Sequence, residues 1–222
     1  MTGTKVIKLK LEGSTADGML PKLKDPVVEK ALRLYDRIGY MEQGGFERVI
    51  YGEIGYHDTI LEESGGWDLN SGQIQDVITA LEHREFGTER HASKTGLFVN
   101  ALMLGSKEKE FRISTFTPLD YLGFRWEEPK KLTVDGDLGD HIGKQMEVGE
   151  ITVRGSIGDY GCKSMTGGEI TVEGNAGSFT GDFTRGGILK VGGKIAGFAD
   201  QYGWSGYFSQ GEIWESGKKV RG

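Results

Sequence analysis

The chain has 222 residues, with 33 acidic against 27 basic side chains and a formal net charge of −6. That scattered, net negative charge makes nucleic acid and anionic membrane poor partners. A single cysteine cannot form an internal disulfide, and no apolar run approaches the ~18 residues that a spanning helix needs.

Met1 to Leu11 alternates lysine with apolar residues and has no continuous apolar core, so Ile7, Leu9 and Leu11 read as one face of a half-exposed strand rather than a secretion signal. A cytoplasmic location follows from that and from the lone cysteine. Asp25-Pro26 supplies an N-cap and a first-turn proline ahead of Val28, Ala31, Leu32, Tyr35 and Ile38, a helix stopped at Gly39. Phe46 to Ile54 is a strand candidate. Asn70 and Gln73 form a capping-box-like start for a second helix carrying Ile74, Val77, Ile78 and Leu81 on one face and ending at Gly87. Leu97–Leu104 and Phe111–Phe116 read as two apolar strands, a hairpin turning through Gly105-Ser106-Lys107-Glu108. The first part of the chain is therefore expected to be an α+β domain, residues 1–130, carrying no family signature.

From residue 131 the composition changes. Val134-Asp135-Gly136-Asp137-Leu138-Gly139 returns 19 residues later as Val153-Arg154-Gly155-Ser156-Ile157-Gly158, again as Val172-Glu173-Gly174-Asn175-Ala176-Gly177, and more loosely from Val191. A fixed period means that one structural unit is stacked on itself. Leu132, Ile151, Ile170 and Leu189 form one apolar column, Val134, Val153, Val172 and Val191 a second, and Leu138, Ile157, Ala176 and Ile195 a third. Alternation within pieces such as Glu150-Ile151-Thr152-Val153 gives strands with one inward face. Glycine stands where the chain must corner, notably at Gly136, Gly139, Gly143, Gly155, Gly158, Gly174, Gly177 and Gly181. Residues 131–222 are thus expected to form a right-handed parallel β-helix of about four to five coils. Leu119–Trp126 reads as a degenerate coil ahead of it, with the upstream hairpin closing that end. A calcium-binding β-roll is disfavoured, because its period differs and the column Asp140, Asp159 continues as Ser178.

The spacing Gly-x-x-Gly-x-x-x-Gly, intact at Gly136-Gly139-Gly143 and Gly174-Gly177-Gly181, resembles the GXGXG family over roughly residues 132–217. That family includes the β-helical subunit of formylmethanofuran dehydrogenase and the C-terminal domain of the glutamate synthase large subunit. The resemblance to the formylmethanofuran dehydrogenase member is the nearer, since the last coil is lengthened around Tyr202-Gly203-Trp204-Ser205-Gly206. Cys162 departs from the pattern, standing where the other coils have Gly143 and Gly181. In the family the β-helix is an assembly element, so the resemblance implies a non-catalytic scaffold within an oxidoreductase-type complex. It carries no catalytic residue and no cofactor across.

Three other chemistries are readable in the residues. His57, Asp58, His83 and His91 are the candidates for a metal site, though their spacing matches no ligand motif and capping or surface roles are the default. With such a site the chain would be a free-standing enzyme. Cys162 has His141 about one coil away, a weak nucleophile-and-base pairing against the alternative of a small corner residue. Tyr202, Trp204, Tyr207, Phe208 and Trp214 crowd the C-terminal end, either as its cap or as the anchors of a protein partner or a second copy. A binding module for a polyglutamate-bearing one-carbon carrier follows from family analogy alone.

Overall fold

The computed structural model describes residues 25–38, 46–85, 91–198 and 211–222. Among the described residues four helices, α1 (Pro26–Arg37), α2 (Phe46–Glu63), α3 (Ser71–Glu85) and α4 (His91–Gly105), precede a seven-stranded sheet. Two of these helices begin as their sequences dictate. The Asp25 carboxylate accepts the Val27 amide at 2.8 Å ahead of Pro26. Asn70 and Gln73 bond reciprocally, side chain to backbone, at 3.0 and 2.9 Å.

The other two overturn strand expectations. Phe46–Ile54 is the first half of α2, and Leu97–Leu104 belongs to α4, so the expected hairpin of Leu97–Leu104 with Phe111–Phe116 does not form. The α4 helix is buried all round: every residue from Thr95 to Met103 except Gly96 is at most 1% exposed. A helix without a wet face has no 3.6-residue period, which is why its apolar run imitates a buried strand. Ile7–Leu11, Gly39 and Gly87 lie outside the described residues. Among the described residues no helix is long and apolar enough to cross a membrane.

The sheet is a β-solenoid. Strands β1 (Glu110–Ser114), β2 (Lys131–Asp135), β3 (Glu150–Val153), β4 (Glu169–Val172), β5 (Ile188–Val191) and β6 (Glu212–Glu215) pair in parallel and in chain order. Successive partners Glu110, Lys131, Glu150, Glu169, Ile188 and Glu212 show three coils of 19 residues between a first of 21 and a last of 24. The predicted columns are the register itself: Leu132 lies beside Ile151, Ile170 and Leu189, and Val134 beside Val153, Val172 and Val191, all at most 2% exposed. The sheet begins upstream of residue 131, since β1 is its first strand. At the far end β7 (Lys218–Arg221) turns back antiparallel on β6 and puts Lys218, Lys219 and Arg221 on the edge, where charge discourages further pairing.

Two ladders of polar side chains tie the coils together outside the sheet. The Asp120 carboxylate accepts the Asp140 amide at 2.9 Å, Asp140 accepts that of Asp159 at 2.7 Å, and Asp159 accepts that of Ser178 at 2.7 Å. In the second ladder Asp137 accepts from Ser156 N, Ser156 from Asn175 N and Asn175 from Lys194 N, at 2.8, 3.1 and 2.9 Å. These ladders explain most of the glycine pattern. A Cβ on Gly139, Gly158 or Gly177 would lie 1.9–2.3 Å from the ladder carboxylate of the preceding coil, and one on Gly155 or Gly174 would lie 2.4–2.5 Å from an oxygen of the coil beneath. Close approach, not positive φ, requires glycine at these five positions.

Positive φ is needed elsewhere. Gly143 and Gly181 corner at φ 68° and 77°, and Cys162 takes the same conformation at φ 60°, so the second coil is not built differently there. The Cβ is accommodated through the strand residue opposite. A Cβ on Gly143 or Gly181 would strike the Cδ1 of Ile170 or Ile213 at 2.1 or 2.3 Å, whereas the register places Leu189 at the corresponding position of the Cys162 coil.

The first coil needs a cover for its unpaired edge, and α3 provides it with side chains. Ser71 Oγ bonds both the amide and the carbonyl of Arg112 at 2.7 and 2.8 Å, Gln75 does the same for Ser114 at 2.6 and 3.0 Å, and Glu82 accepts the amides of Phe116 and Thr117 at 2.8 and 3.0 Å. Positions 71, 75 and 82 share a helix face and thus satisfy the alternate outward groups of an extended strand. The expected cap exists, as a helix rather than a hairpin.

Candidate functional site

Four successive solenoid coils make a corner with a non-glycine residue in the left-handed region. Tyr121, His141, Tyr160 and Phe179 have φ of 62°, 62°, 59° and 56°. Bulky residues are strained in this conformation, and what offsets the strain is visible: the four rings stack in sequence. Centroids are 4.7, 5.0 and 5.0 Å apart, with interplanar angles of 21°, 16° and 9°. That spacing is the inter-strand distance of a sheet, so the solenoid itself sets the stacking.

Three residues after two of these rings come Lys144 and Lys163, one coil apart. Opposite them lies α2. The buried Glu53 carboxylate accepts the Tyr121 hydroxyl on one oxygen and the Lys144 ammonium on the other, the latter at 2.7 Å. Lys163 approaches Asp182 at 3.6 Å and lies 4.8 Å from the Tyr160 ring centre. Glu53, Tyr121, His141, Lys144, Tyr160 and Lys163, together with Ile54, Phe124, Gln145 and Ser164, enclose a cleft of about 320 Å³ at the junction of α2 with the solenoid corners.

The charges of the cleft act on His141. Burial, with Lys144 and Lys163 adding to it, depresses its pKa to about 3, so the ring is neutral through the physiological range. Its Nδ1 is buried and has no hydrogen-bond partner among the described residues. Asp182 is pushed upward by burial, against the pull of Lys163.

The wall behind the cleft is locked by one amide. Asn100, fully buried on α4, donates through Nδ2 to His57 Nε2 and to the Phe124 carbonyl at 3.1 and 3.0 Å. Its Oδ1 accepts Gly123 N at 2.8 Å and Trp126 Nε1 at 3.0 Å. All four hydrogen-bonding positions of the amide are used.

This arrangement reassigns the sequence candidates. His57 has both ring nitrogens engaged, Nδ1 with Asp58 at 3.4 Å and Nε2 with Asn100, and its pKa is lowered, chiefly by burial. Asp58 also pairs with Arg125 at 3.1 Å, His83 is exposed on α3, and His91 opens α4. The described residues contain no group of three histidine, cysteine or acidic side chains placed to hold a metal. Cys162 is fully buried, and burial pushes its thiol up to about 12, while His141 stacks on Tyr160. The pairing of those two as base and nucleophile is therefore overturned. Trp214 lies half-buried on β6, and Tyr202, Trp204, Tyr207 and Phe208 fall outside the described residues.

Of the cleft residues, sequence reading singled out His141 alone, and for a different partner. The signal was present as a column of rings at 20- and 19-residue steps and as Lys144 and Lys163 at the same register. Glu53 lies outside the repeat and carries no such mark. Comparison of the chain with protein-family models, curated proteins and solved structures found no match.

Proposed function

We propose that the chain is a non-catalytic scaffold of a cytosolic oxidoreductase-type assembly, similar in role to the β-helical subunit of formylmethanofuran dehydrogenase, and that it docks a catalytic partner on the solenoid. What supports this reading is the outer face of the sheet. A hollow of about 480 Å³ opens over β4, β5 and β6, lined by Thr171, Lys190, Gly192, Gly217 and Trp214. The Trp214 indole is half-buried there and donates to Glu212 at 3.2 Å. A rigid aromatic ring beside a concave surface is what an interface anchor uses, because little rotamer entropy is lost on burial.

The test is co-expression with the products of adjacent genes, followed by size-exclusion chromatography with light scattering. A stoichiometric complex is expected for the natural chain. Trp214→Ser should weaken it while leaving the circular-dichroism spectrum unchanged. A strictly monomeric chain that captures no such product would overturn the scaffold reading.

A further inference from the structure

We propose that the cleft between α2 and the solenoid corners binds a small organic anion, its oxyanion head held by Lys163, Ser164 and Gln145 beside His141 and its apolar body against Phe124 and Ile54.

The cations of the cleft are not equivalent. Lys144 is committed to Glu53 at 2.7 Å, and that carboxylate is already shared with the Tyr121 hydroxyl. Lys163 has a longer ion pair, to the single carboxylate of Asp182 at 3.6 Å, which cannot occupy all three of its ammonium protons. Gln145 and Ser164 flank it on adjacent corners. Their amides are pinned to the Lys163 and Asp182 carbonyls at 2.9 and 2.8 Å, and their side chains make no hydrogen bond among the described residues. The corner backbone is therefore fixed, and the polar groups it carries are open to solvent or a ligand, so little backbone ordering is needed on binding.

The rings decide the sign of the ligand. Both faces of His141 are covered, by Tyr121 and Tyr160, and both faces of Tyr160, by His141 and Phe179. Ring faces are negative and attract cations, but here these two rings can offer the cleft only their edges, which are positive. A ligand cation would meet ring edges and two ammonium groups; the Glu53 carboxylate in the same lining is taken up by Lys144 and the Tyr121 hydroxyl, so Lys163 is left to supply charge complementary to an anion. The buried Nδ1 of His141, without a partner among the described residues, is compatible with that class, because the tautomer protonated there would donate its N–H to an oxyanion. A cleft of about 320 Å³ lies at the small end of ligand pockets.

Three probes at constant ionic strength separate head from body: benzoate, its uncharged isostere benzamide, and inorganic phosphate. Binding is followed by thermal shift and by imidazole ¹⁵N resonances, with His141→Phe assigning the His141 signal. Benzoate should saturate with a dissociation constant near or below about 1 mM, perturb the His141 signal, and exceed benzamide by at least ~10-fold. Lys163→Gln should weaken benzoate by ~10-fold or more, whereas Lys190→Gln, an equal charge change on the outer sheet face, should not. Ser164→Ala, which leaves the Lys163–Asp182 approach intact, should weaken it several-fold and guards against a folding defect in the lysine variant. Phosphate binding with the same dependence on Lys163 would support the site and identify a phosphoryl head. Saturation by neither anion, equal binding of benzoate and benzamide, or equal responses of the Lys163 and Lys190 variants would overturn the proposal.

Discussion

Substituting Gly139 by alanine tests whether the side-chain ladders, rather than backbone freedom, account for the glycine pattern. The new Cβ would lie 1.9 Å from Asp120 Oδ1 and 3.1 Å from its Cγ, while the nearest backbone atom, Asp120 N, is at 3.6 Å. The carboxylate must swing aside by more than about 1 Å to restore van der Waals contact. Doing so breaks the 2.9 Å bond to the Asp140 amide and disturbs the 2.5 Å bond from Ser93 Oγ. Hydrogen bonds to a charged group contribute about 1.5–3 kcal/mol each, and water can replace part of the loss at this half-buried position, so a cost of about 2–4 kcal/mol is expected. Asp120→Ala loses the same bonds but also removes a carboxyl whose pKa burial has raised, so about 1–2 kcal/mol is expected. Once Asp120 is truncated, the alanine at 139 has nothing to strike. The double variant should be about as stable as Asp120→Ala alone, so the coupling in a urea-melt cycle should equal the cost of the glycine substitution itself, about 2–4 kcal/mol. Gly177→Ala is the control, because there the Cβ also meets backbone atoms, Gly158 C at 2.6 Å and Asp159 N at 2.7 Å, and Asp159→Ala should not rescue it. Additivity within about 0.5 kcal/mol for Gly139 and Asp120 would refute the ladder explanation.

His141 should make the fold acid-sensitive. Its pKa falls from 6.5 to about 3 on folding, so the unfolded chain takes up the proton first, and the stability this neutral ring contributes is complete above pH 6.5 and lost as pH falls toward 3. His141→Phe keeps a ring between Tyr121 and Tyr160 and should flatten that slope, at most about 1.4 kcal/mol per pH unit, in melts run from pH 7 to 4. Cys162 should resist alkylation in the native state at pH 8 and react only at the rate of unfolding; rapid labelling would mean that the thiol is not buried. Gln75→Leu strips both partners from Ser114 and should cost about 1–3 kcal/mol and promote concentration-dependent association through the uncovered β1 edge, read by light scattering.

What the sequence disclosed and what it hid divide along one physical line. Interactions between residue i and residue i+19 repeat, so the apolar columns, the strand register and the cornering glycines could be read by aligning the chain with itself. The reason for the glycines could not, because it depends on a carboxylate, hydroxyl or backbone atom of the previous coil occupying the place of a Cβ. The helices followed their local signals where one face is wet, as in α1 and α3. They misled where none is, as in α4. The cleft mixes both kinds of information: His141, Lys144 and Lys163 sit in the repeat, but Glu53 and the Asn100 hub arrive from helices whose docking leaves no periodic trace.

The polar ladders and the ring stack impose a rule on how such a chain can vary. Within the strict repeat each depends on the same 19-residue offset between neighbouring coils, so inserting or removing a single residue between two of its rungs puts every one of them out of register at once, along with the apolar columns. The first steps, Asp120 to Asp140 and Tyr121 to His141, are 20 residues because they cross the longer first coil. Removing a whole period leaves each ladder and the stack one rung shorter and otherwise intact. Length is therefore quantised: the architecture admits change in blocks of 19 residues and rejects it in ones and twos. The tolerated exceptions lie where the described pattern already loosens, in the 21-residue first coil against α3 and the 24-residue last coil before β6.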